Sequence, residues 1–176
     1  MCPRGNLTAR TALAAALAAL GSANASAAAA DRANLLLGSW TCRSGAGSMA
    51  THVYARNADG SLSMHNRFVR RVGGPATSLD ETYRFDPAAQ TWKLSITGTP
   101  FFGRFEGAAA PWTGDAWIFA GSESLPAPNG FLRRDEVQLV YVDRFPDGFE
   151  RDFFANVGGR WVPYSDESCT RSPSSG

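Results

Sequence analysis

From about residue 36 onward, apolar and polar side chains alternate in short runs. Leu62, Met64 and Phe68 alternate with Ser61, Ser63, His65 and Arg67. Glu81, Tyr83 and Phe85 alternate with Thr82 and Arg84, and Trp92, Leu94 and Ile96 with Thr91, Lys93 and Ser95. Val137, Leu139 and Tyr141 alternate with Glu136 and Gln138, and Phe149 and Phe153 with Glu150 and Asp152. A period of two sends successive side chains to opposite faces, so these runs predict strands with one face buried. Turn residues separate them: Asp59-Gly60, Asp86-Pro87, Gly114-Asp115, Pro146-Asp147-Gly148 and Gly158-Gly159. The pattern predicts about ten strands, at 36–43, 49–57, 61–71, 79–85, 91–97, 101–108, 115–121, 131–142, 148–156 and 160–167. The longest loops are expected at 72–78 and 122–130. Beyond the first thirty residues no stretch has a convincing helical period. Evenly spaced strands with hairpin-length links predict an all-β, up-and-down antiparallel meander. A meander of eight to ten strands removes its exposed edges by closing into a barrel.

The first thirty residues follow another pattern. Arg4 and Arg10 are the only charges before Asp31, and Thr11–Leu20 is Ala and Leu apart from Thr11. Small residues then run from Gly21 to Ala27. A basic start, a short apolar run and a small-residue exit predict a secretory signal. Ala25-Ser26-Ala27 places cleavage after Ala27, with Ala23-Asn24-Ala25 as a rival site. The apolar run is short of the roughly 20 residues that span a bilayer. The predicted organisation is a signal at 1–27, a flexible leader at 28–34, a barrel domain at 35–171 and a disordered tail at 172–176. The destination is the periplasm or the extracellular space.

Charge and cysteines sharpen this picture. Losing Arg4 and Arg10 leaves 15 of the 17 basic residues against 16 acidic ones. A near-neutral domain has no electrostatic footprint for nucleic acid or anionic lipid. Cys2 leaves with the signal, and Cys42 and Cys169 remain. An even pair in an exported protein predicts a disulfide. The 11 Phe, five Trp and four Tyr all lie at or after Trp40. Most are expected to fill the barrel, as side chains do in small barrels.

Leu37-Gly38-Ser39-Trp40-Thr41-Cys42 opens the first strand, and its Gly-x-Trp resembles the first-strand motif of lipocalins and other calycins. That resemblance implies that Gly38 and Trp40 are structural, with Trp40 closing the barrel base under a late arginine, Arg160 or Arg171. The chain also resembles an uncharacterised family of exported bacterial proteins with lipocalin-like barrels. The blocks that carry this are Gly38–Cys42, Tyr83-Arg84-Phe85-Asp86-Pro87 with Trp92, Trp112–Phe119, and Trp161–Cys169. They span nearly the whole mature chain and imply the fold while leaving function open.

Candidate chemistry is sparse. There are two histidines, His52 and His65, and no Gly-x-Ser-x-Gly elbow, so no catalytic residue is assigned. Isolated histidines without clustered cysteines give no zinc pattern, and Asp59-Gly60 and Asp147-Gly148 read as turns, not calcium loops. His65 shares the polar phase and is expected to face solvent, which removes the main haem ligand. No metal or cofactor is expected. Glu81 shares the phase of Tyr83 and Phe85 but is read as a strand-end residue at the barrel rim. Arg151 sits on the apolar phase between Phe149 and Phe153, and an inward arginine must be paired. The reading favoured is an internal salt bridge, with Glu81 one partner to consider, or a rim position. The alternative, implied by fatty-acid-binding calycins, is a ligand carboxylate held by Arg151 with Tyr141 or Tyr83.

The first function expected is binding of a small, mostly apolar ligand, lined by Arg151, Tyr141, Tyr83, Phe68, Trp117 and Phe153. The second is a protein-interaction module with a filled barrel and an exposed apolar patch near Pro100-Phe101-Phe102 and Leu125. An enzyme is third. The oligomeric state stays open.

Overall fold

The computed structural model describes residues 32–69, 76–98, 104–112, 114–126 and 132–173. Among them run ten strands: β1 (Gly38–Ser44), β2 (Met49–Arg56), β3 (Leu62–Val69), β4 (Ala76–Asp86), β5 (Thr91–Gly98), β6 (Arg104–Ala109), β7 (Ala116–Pro126), β8 (Leu132–Arg144), β9 (Gly148–Val157) and β10 (Arg160–Arg171). Each pairs antiparallel with its sequence neighbours, and β1 pairs with β10, so the sheet is a closed up-and-down barrel. The alternation explains the registers. Trp40 and Cys42, His52 and Tyr54, Leu62 and Met64, Trp92 and Leu94, and Leu139 and Tyr141 all point inward and are buried. Three strands run well past their expected spans: β4 starts three residues earlier than the pattern predicts, β7 continues through Ser122–Pro126, read from sequence as loop, and β10 continues from 167 to Arg171. Pro126, at the end of β7, needs no ladder donor there.

Closure is covalent. Cys42 and Cys169 are register partners on β1 and β10 and form a disulfide, 127 residues apart in sequence. A structural disulfide belongs to an oxidising compartment outside the cytoplasm. No helix among the described residues is long and apolar enough to cross a membrane.

One end of the barrel is plugged. Residues 32–34, expected to end a loose leader, form a helical turn whose Ala33 is buried along with the following Leu36. The buried Trp40 indole donates to Leu36 O at 2.7 Å and packs edge-on against Phe145 and Phe149. Of the two arginines proposed to cover Trp40, Arg171 does so, its guanidinium carbon 4.0 Å from the ring centre. Arg171 also donates to the carbonyls of Leu35 and Leu37, tying the plug to the last strand. Gly38 permits this approach: its φ is +114°, and a Cβ there would lie 2.6 Å from Arg171 Nη1. Above the plug lies an aromatic layer. Trp112 and Trp117 stack at 5.2 Å, with Trp92, Phe119, Tyr83 and Tyr141 around Trp117.

Candidate functional site

The other half of the barrel is not filled by aromatic rings. A cavity of about 270 Å³ opens there. Leu79, Ile96, Phe105, Phe153 and Ala50 give it apolar walls, while Arg151, Glu81, Glu167 and Asn66 give it a polar floor. A larger hollow, about 720 Å³, lies on the outer wall among Arg84, Lys93 and Arg104. Each of those cations is ion-paired, with Asp59, Asp86 and Glu106. The interior cavity is the better site, because concave apolar surface with a few convergent polar groups is what holds a small molecule.

Arg151 forms a crossbar between the two halves. It is 2% exposed and sits on β9, five strands around the ten-stranded barrel from β4. Its Nη2 donates to Glu81 Oε1 at 2.5 Å and its Nη1 to Glu167 Oε2 at 3.1 Å. Burial opposes the arginine's charge, but the carboxylates of Glu81 and Glu167 outweigh it and hold the guanidinium pKa well above its usual value. Glu81 was expected at the rim. It is instead 1% exposed near the middle of β4, because that strand begins early and carries it inside. The sequence alternative of Arg151 holding a ligand carboxylate meets a guanidinium that already bridges two protein carboxylates.

Below the crossbar, Glu81 Oε2 accepts from Tyr83, whose hydroxyl also meets that of Tyr141, and Tyr54 lies 3.4 Å from the Tyr141 hydroxyl. Desolvation, with the negative charge of Glu81, pushes all three phenols above their usual pKa. They act as neutral hydrogen-bonding groups that let a carboxylate sit in a nearly dry interior.

On the β2 side, His52 is fully buried. Its Nδ1 lies 3.3 Å from Arg151 Nη1, which can only donate. Nε2 faces Glu167 Oε2 at 3.5 Å and the Asn66 amide at 2.9 Å. Burial raises the Glu167 pKa, but the His52 hydrogen bond and Arg151 outweigh it, and the net shift is downward. Two floor atoms have no protein partner: Arg151 Nε and one end of the Asn66 amide. His52 also stands beside Cys42 and Cys169, but both sulfurs are spent in the disulfide, so this trio offers no metal three ligands.

The mouth depends on an irregularity. β9 and β10 slip register between Pro163 and Ser165, so the consecutive residues Tyr164 and Ser165 both line the cavity. The Tyr164 hydroxyl reaches Glu123 on β7 and donates to its Oε2 at 3.1 Å. Burial raises the Glu123 pKa, against the lowering effect of that hydrogen bond.

Of the residues the sequence singled out, Arg151 and Phe153 line the cavity. Tyr83, Tyr141 and Trp117 are fully buried in the aromatic layer beneath it. The Phe68 side chain, Leu125 and Pro100–Phe102 lie outside the description, apart from the β3 backbone that pairs Phe68 with Ala50 and the β7 backbone that pairs Leu125 with Arg133. His65 is exposed and meets Asp80 at 2.7 Å, as its polar phase predicts. Sequence reasoning missed His52, Asn66 and Glu167, although each shares the phase of known inward residues: Tyr54, Met64 and Cys169.

Compared with models of known families the chain matches none, and no curated protein matches it.

Proposed function

We propose that this is an exported barrel that binds a small, mostly apolar molecule in the open half of its interior. The observation that carries this reading is the 270 Å³ cavity, apolar on its walls and polar on its floor, above a barrel half filled by aromatic rings. Its volume lies at the lower end of small-ligand sites. Export is supported by the N-terminal pattern and by the oxidised cysteine pair. The Gly-x-Trp opening and the Trp40–Arg171 contact support a lipocalin-like barrel and, through the ordered sequence blocks, membership of the exported bacterial family they resemble.

Ligand-observed NMR with hexanol as probe tests this reading. Saturation transfer to hexanol is expected for the native protein and is lost in Ala50→Phe, which places a ring in the cavity. Equal transfer in both proteins would put the binding elsewhere and end the cavity reading.

One observation favours a second reading, a protein-interaction module. β1 pairs with β10 only over Glu167–Arg171, so residues 160–166 of β10 have no β1 neighbour. This stretch and the end of β9 expose Trp161 at 42%, Val162 at 45%, Tyr164 at 50% and Val157 at 61%. An edge without a β1 partner among the described residues, carrying apolar side chains, suits a protein partner. Pro163 and the bulge beside it hinder uncontrolled strand addition there.

A further inference from the structure

The ionisable lining of the cavity is unbalanced. Among the described lining residues, Glu81, Glu123 and Glu167 face a single guanidinium, that of Arg151. Both terminal nitrogens of Arg151 are engaged by Glu81 and Glu167. A ligand carboxylate on this floor would find its one cation already flanked by carboxylates, and like charges at close range repel.

The free acceptors point the same way. Glu81 uses both oxygens, Oε1 on Arg151 and Oε2 on Tyr83. Among the described residues, Glu167 and Glu123 engage side chains only through Oε2. Their Oε1 atoms remain for a donor, one from β10 and one from β7. An ionised carboxylate is an acceptor only, and its strongest partner is a charged donor.

A separate observation marks the floor as built for an occupant. Arg151 and Asn66 are 2% and 3% exposed and line the cavity, yet each keeps a buried polar atom without a protein partner. Among the described residues the indole nitrogens of Trp92 and Trp112 are also unpartnered, but they lie in the aromatic layer; those of Arg151 and Asn66 lie at the base of an open cavity, where an entering molecule can supply polar atoms.

We infer that the ligand is a small organic cation: a protonated amine on an apolar body, its ammonium donating to Glu167 on the floor and its body against Phe105 and Phe153, with Glu123 at the mouth adding to the negative field that draws it in. This rests on the ligand-binding reading above. The Nε–H of Arg151 then suits an acceptor oxygen close to the ammonium, as in an amino alcohol.

The test titrates the disulfide-bonded protein near neutral pH with hexylamine, hexanol and hexanoate, which share one chain and differ in head group. Hexylamine is expected to bind about tenfold tighter than hexanoate or more, with hexanol between them. Glu123→Gln is expected to cut the hexylamine preference several-fold and to leave hexanol unchanged. Hexanoate binding as tightly as hexylamine would overturn the inference. Hexanol matching hexylamine would remove the cationic head group and leave the cavity reading standing. No binding by any of the three, with the fold intact by circular dichroism, would remove both.

Discussion

Arg151 on β9 and Glu81 on β4 meet across the full width of the barrel, Nη2 to Oε1 at 2.5 Å, although 70 residues separate them in sequence. The pair divides the interior into an aromatic base and an open cavity. Its removal tests the architecture. Arg151→Leu leaves Glu81 buried and without its cation, which is expected to destabilise the fold by about 3–5 kcal/mol. Glu81→Gln/Arg151→Leu is expected to lose less than the sum of the two single variants, because Arg151→Leu strands the Glu81 carboxylate and Glu81→Gln leaves Arg151 only Glu167, whereas the double variant lacks both buried charges. Urea unfolding of the four proteins reads the coupling. Additive losses would mean that the two groups do not act as a pair.

Glu167 sets a pH dependence. Its folded pKa is depressed, so the unfolded chain takes up the proton first as pH falls. The stability it contributes is present above the unfolded value and is lost as pH falls through the folded one. Asp59 and Asp86 are lowered too, Asp59 by hydrogen bonds from Ser61 and Asp86 first by Lys93, and act in the same direction at lower pH, below the ordinary aspartate value of about 3.9. Stability is expected to fall below about pH 4.5, the ordinary glutamate range. Glu167→Gln is expected to flatten that fall in part. An unchanged acid limb in urea midpoints measured against pH would contradict the assignment.

The seam between β1 and β10 is held by the Cys42–Cys169 bond, which closes a long loop. Replacing both cysteines by serine is expected to lower stability by about 2–5 kcal/mol in urea unfolding. A loss below about 1 kcal/mol would mean that strand pairing alone closes the barrel.

Arg171 is expected to hold the N-terminal plug. Arg171→Ala removes the stack on Trp40 and the hydrogen bonds to the Leu35 and Leu37 carbonyls, at a cost of about 1–2 kcal/mol. Arg171→Lys is not expected to restore stability, because an ammonium cannot stack flat and fork to two carbonyls. Full rescue by lysine would make the contact a matter of charge alone.

Much of this arrangement was legible in the alternation itself. Period two places Tyr83, Trp92, Leu139 and Arg151 on one face, and the even spacing of turns gives the closed meander. The phase rule also reaches His52, Asn66 and Glu167, whose polarity hid them as inward residues. It places Glu81 inward as well, but the depth of a residue along a strand depends on where the strand starts. Ala76–Ser78 join β4 despite their loop-like composition, because β3 offers them partners. Tyr164 was not legible at all: a bulge breaks the alternation, and its position follows from the pairing of two strands, not from the pattern of one. Which half of the interior stays open is also a tertiary outcome. It depends on how Trp112, Trp117 and Trp92 pack together, and no local pattern encodes that.

The central claim is that the open half of the barrel holds a small molecule. The most direct test is native mass spectrometry of the mature protein purified gently from its own host, run beside denaturing mass spectrometry. The account predicts a reproducible extra mass in the native spectrum that vanishes on denaturation and is absent from Ala50→Phe. The same extra mass retained by folded Ala50→Phe would contradict it.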